Sequence, residues 1–230
     1  MRRLTTHSLL IGLLLAPMGS MANQSKEAKS PLVCWALPGL MARYFDNHVQ
    51  YNKASDEIAK RVVELYSKRL DPAKVMLLEA DFQRMKSKIK IAIADAREGR
   101  CDTFDFLRKE QIRWQEEMEA HVRKVLSKDD LEIDRTLSLQ VDPDKRKRPS
   151  AGSERDALRH KILHFQLANY VAAGTKLADA RKKLIHRYEL ITKDVREQTQ
   201  SEVFSGFLNA FSNALDPHST YFSAEDLEDF

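Results

Sequence analysis

Residues 199–222 read TQSEVFSGFLNAFSNALDPHSTYF, and this stretch decides the fold. Thr199 is followed three positions later by Glu202, which is the capping-box pattern that begins a helix. A proline at position 217 ends the helical pattern, because the residue before a proline disfavours the helical conformation. Between these limits apolar residues recur every three or four positions, which predicts a helix with a core-facing side. The aromatic residues of that side are Phe204, Phe207 and Phe211.

Helical periodicity continues outward from this stretch over most of the chain. Glycine and proline occur only seven times each in 230 residues, which leaves room for long uninterrupted helices. No segment shows a strand pattern. The sequence therefore predicts an all-α protein with helices of about 12–25 residues, short loops and one longer basic loop. Besides the helix after Thr199, the expected helices cover residues 35–49, 55–69, 79–98, 102–126, 153–174 and 176–197.

The chain is expected to contain two helical subdomains. The proposed limits are 1–22 for a signal peptide, 23–33 for a flexible tail, 34–126 for a first helical subdomain, 127–152 for a loop or linker, 153–215 for a second helical subdomain and 216–230 for a junction. The loop contains a run of four basic residues from Lys145 to Arg148. In an exported protein such a run is expected to be solvated.

The N-terminus has the pattern of an export signal. Arg2 and Arg3 supply positive charge, residues 9–16 form an apolar run, and a small-x-small site at residues 20–22 precedes Asn23. The apolar run is about half of the roughly 20 residues that a membrane-spanning helix needs. We therefore expect cleavage, export and no membrane span in the mature chain. The alternative is an uncleaved amphipathic N-terminus.

Export determines how the two cysteines are interpreted. An oxidising compartment permits a disulfide between Cys34 and Cys101. Two buried free thiols are the alternative, each acting as a small hydrophobic side chain. Since the two cysteines do not form a CxxC pair, zinc binding and thiol redox catalysis are disfavoured.

The charge balance argues against a nucleic-acid-binding protein. The chain has 38 basic and 34 acidic residues, and removal of Arg2 and Arg3 with a signal peptide leaves nearly equal numbers. Nucleic-acid binding requires clustered positive charge, which a balanced surface does not supply. Glycine-rich phosphate-binding motifs are also missing from the sequence. No nucleic-acid partner and no nucleotide cofactor are expected.

The residues that could carry chemistry do not form a convincing site. His160 and His164 are four positions apart, but a metal site needs a third or fourth ligand, so we expect them on a solvated helix face. Asp216, His218 and Ser219 are too close in sequence to converge as a catalytic triad. Because these residues directly follow a predicted helix, we expect a turn that ends the helix, in which their polar side chains bond nearby backbone groups. The sequence predicts no catalytic, cofactor-binding or metal-ligating residue.

The end of the chain resembles a known family. The junction motif Leu215-Asp-Pro-His-Ser-Thr-Tyr221 and the helix before it are similar to the segment that precedes the PDZ domain in tail-specific, or carboxyl-terminal processing, proteases. Weaker matches lie earlier in the chain in family order, so that the resemblance covers essentially all of residues 34–230. They are His48 at the end of the first helix, Leu70-Asp71, Leu77-Leu78, Asp81-Phe82 and Asp102-x-Phe104. The junction residues are Leu215, Asp216, Pro217, His218, Ser219 and Tyr221.

The resemblance implies the helical N-terminal domain of a periplasmic serine protease that degrades proteins from their C-terminus. Members of this family use a serine-lysine pair, a PDZ domain that reads the substrate C-terminus, and a helical domain that docks adaptor proteins. The PDZ and catalytic domains would lie beyond Phe230, so no catalytic residue carries over. The expected partners are the PDZ and protease domains in cis or in trans, an adaptor protein, and protein substrates of the full enzyme.

Two other interpretations remain open. The chain could be a stand-alone exported helical binding module without enzymatic activity, which captures a partner through an apolar groove. It could also be a nonfunctional fragment, in which case the apolar residues 203–222 would leave an aggregation-prone surface.

Overall fold

The computed structural model describes residues 31–128, 130–223 and 227. The predicted signal peptide, most of the predicted tail and part of the junction lie outside these residues. The described part of the chain is helical without strands, which confirms the predicted all-α fold. After a short 3-10 turn at Cys34–Ala36, the helices are α1 (Leu37–Asn47), α2 (Asp56–Leu70), α3 (Glu79–Arg97), α4 (Asp102–Leu126), α5 (Gly152–Ala172), α6 (Leu177–Glu197) and α7 (Gln200–Leu215).

Local side-chain and backbone features set the ends of several helices. The hydroxyl of Ser55 accepts the N–H of Ile58 at 3.2 Å before α2. Thr199 and Glu202 form the expected capping box at the start of α7. Gly174 follows α5 with a φ of 86°, a conformation that residues with a Cβ rarely adopt. An N-terminal cap typically stabilises a helix by about 1 kcal/mol.

The cap of α5 differs from the sequence prediction. In the sequence, Ser153 is followed three positions later by Asp156, a spacing that resembles a capping box, but α5 already begins at Gly152. The backbone N–H and the hydroxyl of Ser150 instead donate to the Glu154 carboxylate, each at 2.8 Å. The expected cap is therefore wrong, because Ser153 already lies within the first helical turn and Ser150, before the helix, bonds the carboxylate instead.

The first hydrophobic core is built by α1, α2, α3, the first half of α4, and α7. Phe204, Phe207 and Phe211 of α7 are at most 2% exposed, which confirms the predicted core stripe. Phe104 of α4 makes edge contacts to Phe204 and Phe207, with ring centroids 5.7 and 4.9 Å apart. Burying each phenylalanine stabilises the fold by about 1.5–3 kcal/mol. Helix α7 is therefore the central element of this core.

The second core lies among the second half of α4, α5 and α6. Helix α4 thus contributes to both cores, and α7 returns to the first one after α5 and α6 have built the second. The cores therefore do not follow chain order, whereas the predicted subdomains 34–126 and 153–215 do; those limits stay a prediction. The buried members of the second core are Met118, Val122, Leu126, Leu163, Leu167, Ala180, Leu184 and Tyr188.

Helix α5 follows the stripe that its apolar spacing predicts only in part. Of the predicted residues Leu158, Ile162, Phe165 and Leu167, Leu167 is buried, and Leu158 and Ile162 are half-buried. Phe165 is expected on the core stripe, yet it is 40% exposed. Arg159 takes a buried position instead, because its Nε donates to the carbonyl of Val75 at 2.8 Å. The carbonyl satisfies part of the buried guanidinium, which makes burial of the arginine at this position tolerable. The side chains that α5 buries are Arg159, Leu163, His164 and Leu167.

Candidate functional site

Asp71 organises the connection between α2 and α3. Its side chain is buried, with 1% of the residue exposed. One carboxylate oxygen accepts the N–H groups of Val75 and Met76 at 3.0 and 3.3 Å, and the other accepts that of Leu77 at 3.2 Å. A buried carboxylate is tolerated when hydrogen bonds and a counter-charge satisfy it. The connection of residues 72–78 is therefore wrapped around this side chain.

The counter-charge is Arg148, which comes from the long basic loop. Its guanidinium pairs with the Asp71 carboxylate, and both side chains are at most 5% exposed. The guanidinium carbon also lies 3.8 Å from the centroid of the Phe82 ring, a cation–π contact. The expectation of a fully solvated basic run is wrong for Arg148. Lys145, in the same run, is indeed 73% exposed.

Three more arginines donate to backbone carbonyls of the same connection. Arg146 bonds Ala73 O at 2.7 Å, Arg155 bonds Met76 O at 3.2 Å, and Arg159 bonds Val75 O. Burial lowers the pKa of Arg159, and the charge of Arg155 acts in the same direction. We call these four arginines together with Asp71 and Phe82 the Asp71 cluster. Each arginine makes at least one polar contact to the connection or to Asp71, so the cluster joins α2, α3, α5 and the long loop. Arg155 Nε and Arg159 Nη2 are buried without a hydrogen-bond partner among the described residues.

The junction begins with a turn built on Asp216. Its carboxylate accepts the N–H of His218 at 3.0 Å and the hydroxyl of Ser219 at 3.3 Å. The N–H of His218 is the main cause that lowers the pKa of Asp216, since it stabilises the ionised carboxylate. The Asp216 carboxylate thus bonds the backbone of His218 and the hydroxyl of Ser219, and both are local turn contacts.

The turn is tied back to α7. The hydroxyl of Ser212 lies 3.2 Å from the carbonyl of Ser219, and the N–H of Tyr221 donates to the side-chain oxygen of Asn209 at 2.9 Å. Leu215, at the end of α7, is buried in the first core. These contacts set the path of the chain as it leaves the helix. We call residues 215–221 the junction turn.

The two histidines of α5 have different surroundings. His164 is 4% exposed, and its Nδ1 accepts the N–H of Asp134 at 3.0 Å. Its ring centroid lies 4.1 Å from that of His160. Burial lowers the pKa of His164, and His160 acts in the same direction. The expected solvated face is thus wrong for His164. Among the described residues, no group of three or more His, Cys, Asp or Glu side chains is placed to hold a metal ion.

Cys34 and Cys101 are joined as a disulfide in the structure, with their Cα atoms 6.0 Å apart. The bond connects the turn before α1 to the residue before α4 and lies at the border of the first core. Both cysteines therefore help to place the N-terminal end of the domain.

Comparison with known proteins decides the family. A family model described as the tail-specific protease N-terminal domain matches residues 40–225. The chain belongs to this family. It is also 20% identical over 193 residues to the tail-specific protease of Haemophilus influenzae. That alignment covers 82% of this chain and 27% of the relative, so the chain spans about a quarter of the relative's length.

The matched region of this tail-specific protease N-terminal domain contains both the Asp71 cluster and the junction turn. The motif residues Asp71, Leu77 and Phe82 converge at the Asp71 cluster, although they lie apart in sequence. Sequence reasoning missed Arg148, Arg155 and Arg159, because nothing local distinguishes them from solvated arginines. Within the described residues, the domain has no helix that is both long and apolar enough to span a membrane.

Proposed function

We propose that this chain is the scaffolding and partner-docking domain of an exported, periplasmic tail-specific serine protease. In this proposal the chain contributes no catalytic residue. PDZ and serine-lysine domains outside its 230 residues bind substrate C-termini and hydrolyse the substrate. The helical domain places those domains and docks an adaptor protein.

The junction turn is the observation that carries this proposal. It lies at the end of α7, whose side chains form the centre of the first core, and hydrogen bonds fix its path against that helix. A domain that follows such an exit would be oriented by the rigid helical core rather than by a flexible linker. The match of the family model through residue 225 supports the same role.

Exposed apolar side chains near the junction support a covering domain. Phe222 is 43% exposed and Leu227 is 63% exposed. Exposed large apolar residues that lie within a few positions of each other at a domain boundary are consistent with an interface. A neighbouring PDZ or protease domain is the proposed cover.

The first test is the encoding DNA beyond the codon for Phe230. An open frame that continues into a PDZ segment and a serine-lysine domain supports the proposal. A stop codon at that point, combined with a folded monomer that does not bind a separately expressed protease region at micromolar concentration, would contradict it. That outcome would favour the stand-alone binding module.

Export is tested separately by mass and location. A C-terminally tagged chain should be released by osmotic shock, and its mass should correspond to a protein beginning at Asn23. Retention of the intact chain in the cytoplasm would contradict the proposed periplasmic location without affecting the family assignment.

A further inference from the structure

The first part of the long loop has an alternating pattern of apolar and polar residues. Residues 131–141 read LEIDRTLSLQV, in which apolar residues largely alternate with polar ones. A turn at residues 135–136 divides the segment, and the side chains of residues 137–140 alternate between half-buried and exposed. This alternation is typical of an extended chain with one face against the protein. We call residues 137–141 the extended arm.

The extended arm leaves its backbone donors available. The N–H groups of residues 137–141 make no hydrogen bond to any other residue that the structure describes. The arm is also not part of a sheet, since the described residues contain no strand. Arg146 donates to the carbonyls of Gln140 and Val141, so the backbone groups left free by the described residues are the N–H groups of the arm and the carbonyls of residues 137–139. An extended chain with such free groups is a template on which another extended chain can pair.

A groove separates the extended arm from α5. Its volume is about 500 Å³, which falls in the usual range for ligand clefts. Leu137 and Leu139 line one wall, and Phe165 and Val171 of α5 line the other. Phe165 is exposed although it is a large apolar residue. Its side chain lines this apolar groove.

The charges in this groove are predominantly positive. Arg135 and Lys161 both line it, and neither forms an ion pair with another described residue. The one acidic lining residue is Asp134, whose carboxylate already accepts the N–H and the hydroxyl of Thr136. The groove therefore combines apolar walls with two basic side chains, which complements an apolar ligand that also carries acidic groups.

We propose that the groove binds an extended peptide segment with apolar side chains at alternate positions and flanking Asp or Glu residues. The peptide pairs with the backbone of the extended arm, its apolar side chains enter between Leu139 and Phe165, and its acidic side chains lie near Arg135 and Lys161. A second copy of this chain is the poorer occupant. A symmetric pairing would bring the same positive charges together.

The direct test uses a synthetic peptide, acetyl-DVTLTVD-amide, with a fluorescent label and the purified chain. Binding is followed by fluorescence anisotropy. N-methylation of alternate peptide amides removes strand hydrogen bonds while keeping composition, and it should weaken binding about tenfold. Replacement of both Asp by Lys should weaken it by a similar factor. Equal affinity of the N-methylated peptide would overturn strand pairing as the mode of binding.

Matched variants locate the site. Phe165→Ala should weaken peptide binding about tenfold, whereas Phe106→Ala, which removes an exposed phenylalanine from α4, should leave it unchanged. Lys161→Glu should weaken binding, and Lys183→Glu on α6 should not. Equal effects of the two members of either pair would overturn the assignment.

Amide hydrogen exchange and light scattering complete the test. Bound peptide should slow exchange in residues 137–141 and leave α7 unaffected. Absence of peptide binding together with a dimer that Phe165→Ala dissociates would assign the groove to a second copy and refute the proposal. None of these measurements requires a downstream domain, so the outcome does not depend on the protease role.

Discussion

Replacing Arg148 by methionine removes the counter-charge of Asp71 while keeping an unbranched apolar side chain against Phe82. Both charged side chains are almost fully buried, so water cannot compensate for the lost partner. Removing one partner of a buried ion pair costs about 3–5 kcal/mol. Asp71 keeps three backbone N–H donors in the variant, and these still stabilise its charge. We therefore expect a loss at the lower end of this range, about 3 kcal/mol.

Urea unfolding followed by helical circular dichroism measures this loss. With a denaturant slope of about 2 kcal/mol per molar urea, the unfolding midpoint of Arg148→Met should fall by about 1.5 M. Lys145→Met is the matched control, because Lys145 lies in the same run and its side chain is 73% exposed. The control should change stability by less than about 0.5 kcal/mol.

The double variant Asp71→Asn/Arg148→Met separates pairing from packing. If the two charges stabilise each other, the double variant is less destabilised than the sum of the two single variants. A loss below about 1 kcal/mol for Arg148→Met, or strict additivity in this cycle, would refute the argument that the pair joins the long loop to α2.

Three further changes test other parts of the structure. Thr199→Ala removes the capping box of α7 and should lower the free energy of unfolding by about 1 kcal/mol, measured by the same urea titration. Reduction of the Cys34–Cys101 bond, which closes a loop across a sequence separation of 67, should cost about 4 kcal/mol, and alkylation without reductant should add no mass. Because the pKa of Asp216 is lowered on folding, its contribution is present above the ordinary aspartate pKa and is lost as the pH falls through the lowered value. Asp216→Ala should therefore be less stable than the parent at pH 6, and the difference should shrink as the pH falls below the ordinary aspartate pKa; a difference that stays constant into acid would contradict the role of the carboxylate.

The helices themselves follow from local sequence. Apolar spacing, the Thr199–Glu202 box and the proline at position 217 act within a few residues of each other, so α7 could be predicted with its core stripe. The junction motif was recognisable for the same reason, since its residues are contiguous. The alternating pattern of residues 131–141 was equally local but went unrecognised, because a turn interrupts it.

Contacts between distant residues decided the rest. Arg148 lies 77 positions from Asp71, and nothing near it in sequence shows that it is buried. The side of α5 that faces the core depends on a bond from Arg159 to a carbonyl 84 positions away. The return of α7 to the first core likewise depends on which apolar faces meet. Because helix formation depends mainly on neighbouring residues, the sequence alone determined the all-α class. The burial of charges and the pairing of helix faces depend on partners distant in sequence, so only the tertiary structure decided them.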